Sequence, residues 1–199
     1  VFNSKLVDIA EDKLKKLGVE IISSGNIKEI QENKVLVEKD GKIIEVEGNT
    51  IIWSAGVKGS DIVEKSEIPN KKGRIAVDSH LQCKDFSNIY VVGDCAIAAT
   101  KDAIHAPTAQ LSAQMGDYLA ELLCAKLEGR AFEKPFLFNH RGTVCSIGHT
   151  DGVGIVYHKN VSGELAAFMK NTIENKWLFS IGGFKMVFKK GQFRYRTSN

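Results

Sequence analysis

The chain is short of cysteine, of long apolar runs and of net charge, and it has no glycine-rich nucleotide fingerprint. Its four cysteines (Cys83, Cys95, Cys124, Cys145) are scattered, with no C-x-x-C and no Cys/His pairing at zinc spacing. That fits a reducing compartment and reduced thiols, and no metal ligand is assigned. No apolar stretch approaches the ~18 residues of a membrane-spanning helix and no amino-terminal signal peptide is visible, so the chain reads as intracellular. A net charge of +3 is too small to argue for nucleic acid by itself. No G-x-G-x-x-G opens a helix after a strand, and Gly148-His149-Thr150-Asp151-Gly152 does not fit that pattern. Internal repeats and low-complexity segments are absent.

What is present is an ordinary folded composition, 43% hydrophobic and 26% charged over 199 residues. That length holds one large domain or two small ones. Residues 1–17 read as a helix, with a stripe of Leu6, Ile9, Ala10, Leu14 and Leu17 and with Gly18 at the C′ position. Short strands follow at Val19–Ile22, Ile27–Ile30, Val35–Val37 and Ile43–Val46, with Asp40-Gly41 as a hairpin turn, and then at Thr50–Trp53. This opening is helix, strand and meander, so the chain is expected to begin in the middle of a domain.

A second unit is expected from Gly73. Arg74–Val77 is strand-like, and Ile89-Tyr90-Val91-Val92 reads as a buried parallel strand that ends at Gly93-Asp94. A helix is expected from Pro107 at its first position to Gly129 past its end, with Leu111, Met115, Leu119, Leu122, Ala125 and Leu127 on its apolar side. After Pro135 come short strands at Phe136–Phe138, Gly142–Ile147 and Gly152–Tyr157, and a turn at Val161-Ser162-Gly163. A helix over Leu165–Phe179 carries Leu165, Phe168, Met169, Ile173 and Trp177 on one face. Gly182-Gly183 interrupts it before Phe184–Lys190.

Gly93-Asp94 and the helix start at Pro107-Thr108-Ala109-Gln110 carry the chemistry. A strand that stops at Gly-Asp delivers a carboxylate to the carboxyl end of a sheet, where ligands of open α/β folds bind. A helix start beside it adds N–H groups and a positive dipole end. A hydroxyl acceptor would then adjoin an anion site, forming one wall of a nucleotide or flavin pocket. Capping alone is the plainer explanation of such an aspartate.

Thr50-Ile51-Ile52-Trp53-Ser54-Ala55-Gly56-Val57, Arg74-Ile75-Ala76-Val77-Asp78, Asn88–Asp94 and Pro107-Thr108-Ala109-Gln110-Leu111-Ser112-Ala113-Gln114 come in one order and spacing. Together with His140–Gly148 they resemble the carboxyl-terminal half of type II NADH:quinone oxidoreductases, the single-chain, FAD-containing respiratory NADH dehydrogenases. The resemblance covers nearly the whole chain. It implies a mixed α/β fold, part of a two-dinucleotide-binding-domain flavoprotein, with a carboxyl-terminal β-hairpin and amphipathic-helix domain that associates with membrane. The expected division is residues 1–55 as the end of the NADH-binding domain, 56–130 as the second half of the FAD-binding domain, and 131–199 as the membrane-association domain.

By the same resemblance Gly93 and Asp94 meet the FAD ribityl chain, and Ala109 and Gln110 meet its isoalloxazine ring. Gln110 and Gln114 border the quinone. Reduced flavin carries negative charge that a helix amino terminus stabilises. NADH is the implied substrate, quinone the acceptor, and a homodimer is left open; no nucleic-acid partner is expected. None of the five histidines is assigned a catalytic role. Cys95 is expected as a small packing residue near the flavin. The family needs two G-x-G-x-x-G fingerprints, so these 199 residues alone are expected to bind FAD weakly or not at all.

The tail is the other distinctive feature. After Glu174 there is no acidic residue, but there are Lys176, Lys185, Lys189, Lys190, Arg194 and Arg196. Among them sit Trp177, Phe179, Phe184, Phe188, Phe193 and Tyr195. Basic residues beside aromatics on helices too short to span make a monotopic anchor, for which Trp177, Phe184, Phe188, Lys189 and Lys190 are the named candidates. The expected location is peripheral, on the cytoplasmic face of the cell membrane. Rival expectations are a sulfide:quinone reductase using Cys95 or Cys145, another FAD-dependent pyridine-nucleotide oxidoreductase such as a disulfide reductase, and a non-catalytic membrane-surface binding module.

Overall fold

The computed structural model describes residues 2–99 and 104–193. Val1, expected in the first helix, and Arg194, Tyr195 and Arg196 of the tail lie outside the described residues. In chain order the elements are α1 (Ser4–Lys16), β1 (Asn26–Ile30), β2 (Lys34–Lys39), β3 (Lys42–Glu47), α2 (Asp61–Glu64), β4 (Ile75–Ala76), a single 3₁₀ turn (Gly93–Cys95), β5 (Ala96–Ile97), α3 (Ala109–Leu127), β6 (Gly142–Ile147), β7 (Asp151–Val156), β8 (Lys159–Ser162) and α4 (Gly163–Lys190). They fall into two compact units, one drawn from residues 1–52 and 141–199, the other formed by Trp53–His140.

In the first unit the Asn3 side chain caps α1 by accepting from Leu6 N–H at 3.1 Å, and Gly18 follows the helix at φ +80°. Gly18 stands where it was predicted, and of the predicted stripe Leu6 is 1% exposed and packs with Ile9, Ala10 and Leu14, whereas Leu17 is the C-cap residue and is 56% exposed. β1–β3 form an antiparallel meander whose β2–β3 turn is Asp40-Gly41, both at positive φ, as a two-residue hairpin of this twist requires. β6–β8 form a second antiparallel sheet. Along β7 the pleat separates two faces. Val153 and Ile155 pack with Ile147 against Leu6, Ile9 and Leu14 of α1. Gly152 lies instead under α4, where a Cβ would come within 2.7 Å of Cys145 O and 3.2 Å of Ala166 Cβ. The absence of a side chain there lets Ala166 and Ala167 of α4 bury themselves on the sheet.

The second unit packs Val77, Leu81, Ala96, Ala98, Leu111, Met115, Tyr118 and Leu122 into one core. β4 and β5 pair in parallel, Ile75 with Ala96. The apolar side predicted for α3 is largely the buried one, except that Leu127 is 89% exposed and Tyr118 is the extra core member.

Several expected strands are not ladder strands. Val19–Ile22, Thr50–Trp53 and Phe136–Phe138 have no strand partner among the described residues. Ile89–Val92 is not a parallel strand either. It folds back on residues 81–83: Cys83 N–H donates to Ile89 O at 2.8 Å, Val91 N–H donates to Leu81 O at 3.0 Å, and Gln82 bridges Tyr90 antiparallel. An apolar run records burial but not the partner, and closing a short loop costs less entropy than a distant pairing. The parallel pairing begins just beyond Gly93-Asp94, at β5. The expected turn at Val161-Ser162-Gly163 is the end of β8 and the first residue of α4, and Pro107 stands before the cap of α3 rather than inside it.

Candidate functional site

Gly93 follows an extended Val92 and takes φ +70°, a conformation that costs a residue with a Cβ about 1–2 kcal/mol. Crowding is not the reason, since the atoms nearest an added Cβ would be Ser112 Oγ and Cβ at 3.6 and 3.8 Å. The Gly93 N–H donates to Met115 Sδ at 3.4 Å, fastening the turn to the second turn of α3. The turn then presents the Asp94 side chain to solvent.

α3 begins where Thr108, in extended conformation, accepts from Leu111 N–H through its hydroxyl at 3.2 Å. Ser112 connects the helix start to the aspartate. Its hydroxyl lies 3.0 Å from Thr108 O and 3.3 Å from Asp94 Oδ1, so one proton serves two acceptors. Asp94 is therefore held over the first turn of α3, at the positive end of the helix dipole. The turn and the helix start, paired from sequence spacing, are neighbours in the fold. Ala109 and Gln110 are the first two residues of the helix, Ala109 exposed and Gln110 half-buried.

Gln114 is engaged in a way that spacing did not reveal. Its Nε2 donates to Asn139 O at 3.0 Å, and its Oε1 accepts from Asn139 N–H at 2.9 Å. Gln110, Gln114 and Tyr118 recur every four residues and share one helix face. Along that face the irregular segment 132–140 runs back toward the start of α3. Tyr118 donates its hydroxyl to Lys134 O at 2.8 Å, between the edge-packed rings of Phe132 and Phe136. Phe136 N–H donates to Ser79 O at 2.7 Å. Phe138 packs edge-on to both His105 and His140, with ring centroids at 5.2 and 5.9 Å. Burial pushes the Tyr118 phenol above the usual tyrosine range, with Asp78 and Glu121 adding to the shift. Ser112, Asn139 and Tyr118 were missed in the sequence because each looked like an ordinary helix or loop residue.

In the other unit, α4 is broken at Gly183 (φ 60°, ψ −162°), where the sequence placed the interruption. The part after the break returns along the part before it. Asn175 donates to Gln192 O at 2.8 Å and accepts from Gln192 N–H at 2.7 Å, and the rings of Phe179 and Phe184 meet at 4.9 Å across the corner. The result is a helical hairpin. The faces carrying Trp177, Ile181, Phe184 and Phe188 are open, with Phe184 and Phe188 70% and 78% exposed. Lys176, Lys185, Lys189 and Lys190 are exposed around them and make no ion pair among the described residues. Leu165, Phe168 and Ile173, read on one face of the helix, are half exposed as well; Ala166 and Ala167 are the buried residues of α4. Among the described residues no helix is long and apolar enough to cross a membrane. All four cysteines are free thiols, with Cys83 buried, Cys95 half-buried and Cys124 and Cys145 exposed.

The pyridine nucleotide-disulphide oxidoreductase family matches residues 1–115, more than half of the chain, including the Gly93–Asp94 turn and the start of α3. The chain belongs to that family. Among pyridine nucleotide-disulphide oxidoreductase relatives, the type II NADH:quinone oxidoreductase of Staphylococcus aureus (strain MSSA476) is 38% identical over 195 residues, which is 97% of this chain and 48% of the relative. The resemblance to type II NADH:quinone oxidoreductases read from the sequence is borne out, and the chain spans about half the length of the curated relatives it matches. The fold is shared with solved structures. NDH2 from Plasmodium falciparum, in complex with NADH, superposes with a TM-score of 0.80 at 14% identity over 94% of this chain and 54% of that one. The sulfide:quinone oxidoreductase from Aquifex aeolicus superposes at 0.66, with 18% identity over 87% of this chain and 44% of that one. The mixed α/β fold class stands on the same comparisons.

Proposed function

We propose that this chain supplies part of the flavin site, the quinone-side helix and the lipid-facing segment of a peripheral NADH:quinone oxidoreductase. The observation that carries the reading is Asp94, held by Ser112 over the first turn of α3 at a glycine turn of positive φ. The donor set fits FAD. Asp94 is exposed with one carboxylate oxygen already oriented, so the other is available to a sugar-like hydroxyl, and Gly93 leaves the turn bare for close approach. Bound there, FAD would supply the two-electron chemistry that connects hydride donation by NADH to quinone reduction. The net reaction is NADH, a proton and quinone giving NAD⁺ and quinol.

The chain's own part is placement and electrostatics. Asp94 accepts from the cofactor's hydroxyls, with Ser112 fixing its rotamer. The N–H groups of Ala109 and Gln110 and the dipole of α3 stabilise negative charge at the ring end. Gln110 and Gln114 lie on the quinone side. The hairpin of α4 rests on the membrane surface, from which a quinone of lipid-like solubility would be drawn; the cytoplasmic leaflet, rich in anionic lipid, suits its lysines. A homodimer is compatible with this reading. So is the division into an NADH-domain end at 1–55, an FAD-domain half at 56–130 and a membrane domain at 131–199. Sulfide oxidation is the second reading, favoured by Cys95 directly after Asp94.

The test uses the full-length protein. It is expected to purify with flavin, to reduce a water-soluble quinone with NADH, and to lose most of its flavin in Asp94→Ala. Full flavin content in Asp94→Ala, or quinone reduction that requires sulfide instead of NADH, would refute the proposal.

A further inference from the structure

Gln114 is the point at which sequence and structure say different things. As a quinone-bordering residue its amide would face the substrate, yet half of its hydrogen-bonding capacity is committed to the main chain of one residue, Asn139. A side-chain amide that gives to a carbonyl and takes from the N–H of the same residue imitates a strand neighbour. It fixes the direction of that residue's backbone as well as its position.

The rest of the segment explains why this is needed. Residues 132–140 belong to no sheet and no helix. They are tied at Lys134 by Tyr118, at Phe136 by Ser79 and at Asn139 by Gln114. The first two ties sit over the middle of α3 and the third sits toward its start. Beyond Phe136, the Gln114–Asn139 pair is the tie that joins the segment to α3 itself, directly beside Phe138. Phe138 is the residue whose ring meets His105, four positions before α3 begins.

We infer that Gln114 is a positioning residue: its amide holds the main chain of Asn139 and so sets Phe138 and His140 beside the amino-terminal end of α3. The inference rests on the NADH:quinone reading, because that end of α3 is where the flavin ring and quinone are proposed to meet. Gln114 then acts on quinone through the segment it holds.

The experiment measures two things in full-length protein, amide hydrogen exchange at Asn139 and the steady-state KM and kcat for a soluble quinone expressed per bound flavin. Gln114→Leu removes both hydrogen bonds and is expected to speed Asn139 exchange by about tenfold. It should also raise the quinone KM by about threefold or more, with a smaller effect on kcat. Gln114→Glu keeps the acceptor but at neutral pH has no proton for Asn139 O. Its Asn139 protection, corrected for intrinsic exchange, should recover as pH falls toward ~4.3 and the carboxyl regains a donor, which Gln114→Leu cannot do. Unchanged exchange in both variants overturns the inference, since the tie then holds nothing. Faster exchange with unaltered KM and kcat overturns it too, since the tie then positions nothing that matters to quinone. A raised KM with Asn139 exchange untouched assigns Gln114 to direct quinone contact and overturns it by a third route. If the parent protein reduces no quinone with NADH, the functional reading fails, while the exchange data still report on the tie by themselves.

Discussion

Replacing Phe184 and Phe188 by serine removes two large exposed apolar side chains of the α4 hairpin, the proposed lipid contact. The two rings are 70% and 78% exposed. At about 200 Å² per aromatic side chain they present roughly 300 Å², worth at most ~7 kcal/mol if fully immersed at ~25 cal/mol per Å². Half immersion gives about 3–4 kcal/mol, or at least a hundredfold in affinity. The four lysines of the hairpin contribute about 1 kcal/mol each at an anionic surface, so the two terms are of similar size. Salt separates them, because a screening length of about 10 Å at 0.1 M weakens only the lysines. The assay is co-sedimentation of full-length protein with neutral and with anionic vesicles over a salt series, circular dichroism confirming that each variant is folded. Phe184→Ser with Phe188→Ser should weaken binding to both kinds of vesicle. Replacing Lys176, Lys185, Lys189 and Lys190 by glutamine should weaken binding to anionic vesicles alone, and only at low salt. If the serine variant binds both vesicle types as the parent does, the exposed rings are not the lipid contact and the reasoning fails.

Three further outcomes can be checked. Tyr118→Phe deletes the bond to Lys134 O and should cost about 1 kcal/mol at neutral pH by denaturant unfolding. Because the folded state raises the phenol above its unfolded value, the parent should lose stability as pH climbs past ~10, where only the unfolded chain releases the proton; the phenylalanine variant should lack that component. Gly152→Val drives a side chain into Cys145 O and Ala166, and should destabilise by about 2–4 kcal/mol; a midpoint within error of the parent would contradict the close approach of α4 to β7. These 199 residues expressed alone should show little or no flavin absorbance, since no glycine-rich turn within them can hold a pyrophosphate, and a bright yellow preparation would refute that.

Local signals were the legible ones. The Asp40-Gly41 turn, Gly18 after α1 and the break at Gly182-Gly183 depend on a few adjacent residues, and all three appear where they were read. The neighbourhood of Asp94 and α3 was legible because both ends of the contact lie within twenty residues and carry special residue types. Pairing partners were not. Ile89–Val92 carries the composition of a parallel strand, but composition does not encode that residues 81–83 lie close enough to capture it first. The stripe of Leu165, Phe168 and Ile173 is legible as one helix face, but periodicity measures amphipathicity without saying what covers it, and the three residues are half exposed. The amide ties at Gln114 and Asn175 had no signature at all, since a glutamine or asparagine on a helix face looks the same whether it meets water or main chain.

The alternation along β7, with Val153 and Ile155 toward α1 and Gly152 toward α4, also constrains how the chain is made. Leu6 emerges from the ribosome roughly 150 residues before the strand that covers it, so α1 waits through synthesis with its apolar stripe unburied, and closing so long a loop slows its docking. Trp53–His140 can meanwhile complete its own core. The first unit is thus the later one to assemble, and a nascent chain that stops between His140 and β7 should carry an ordered Trp53–His140 unit beside an uncovered α1 stripe, a natural ligand for chaperones.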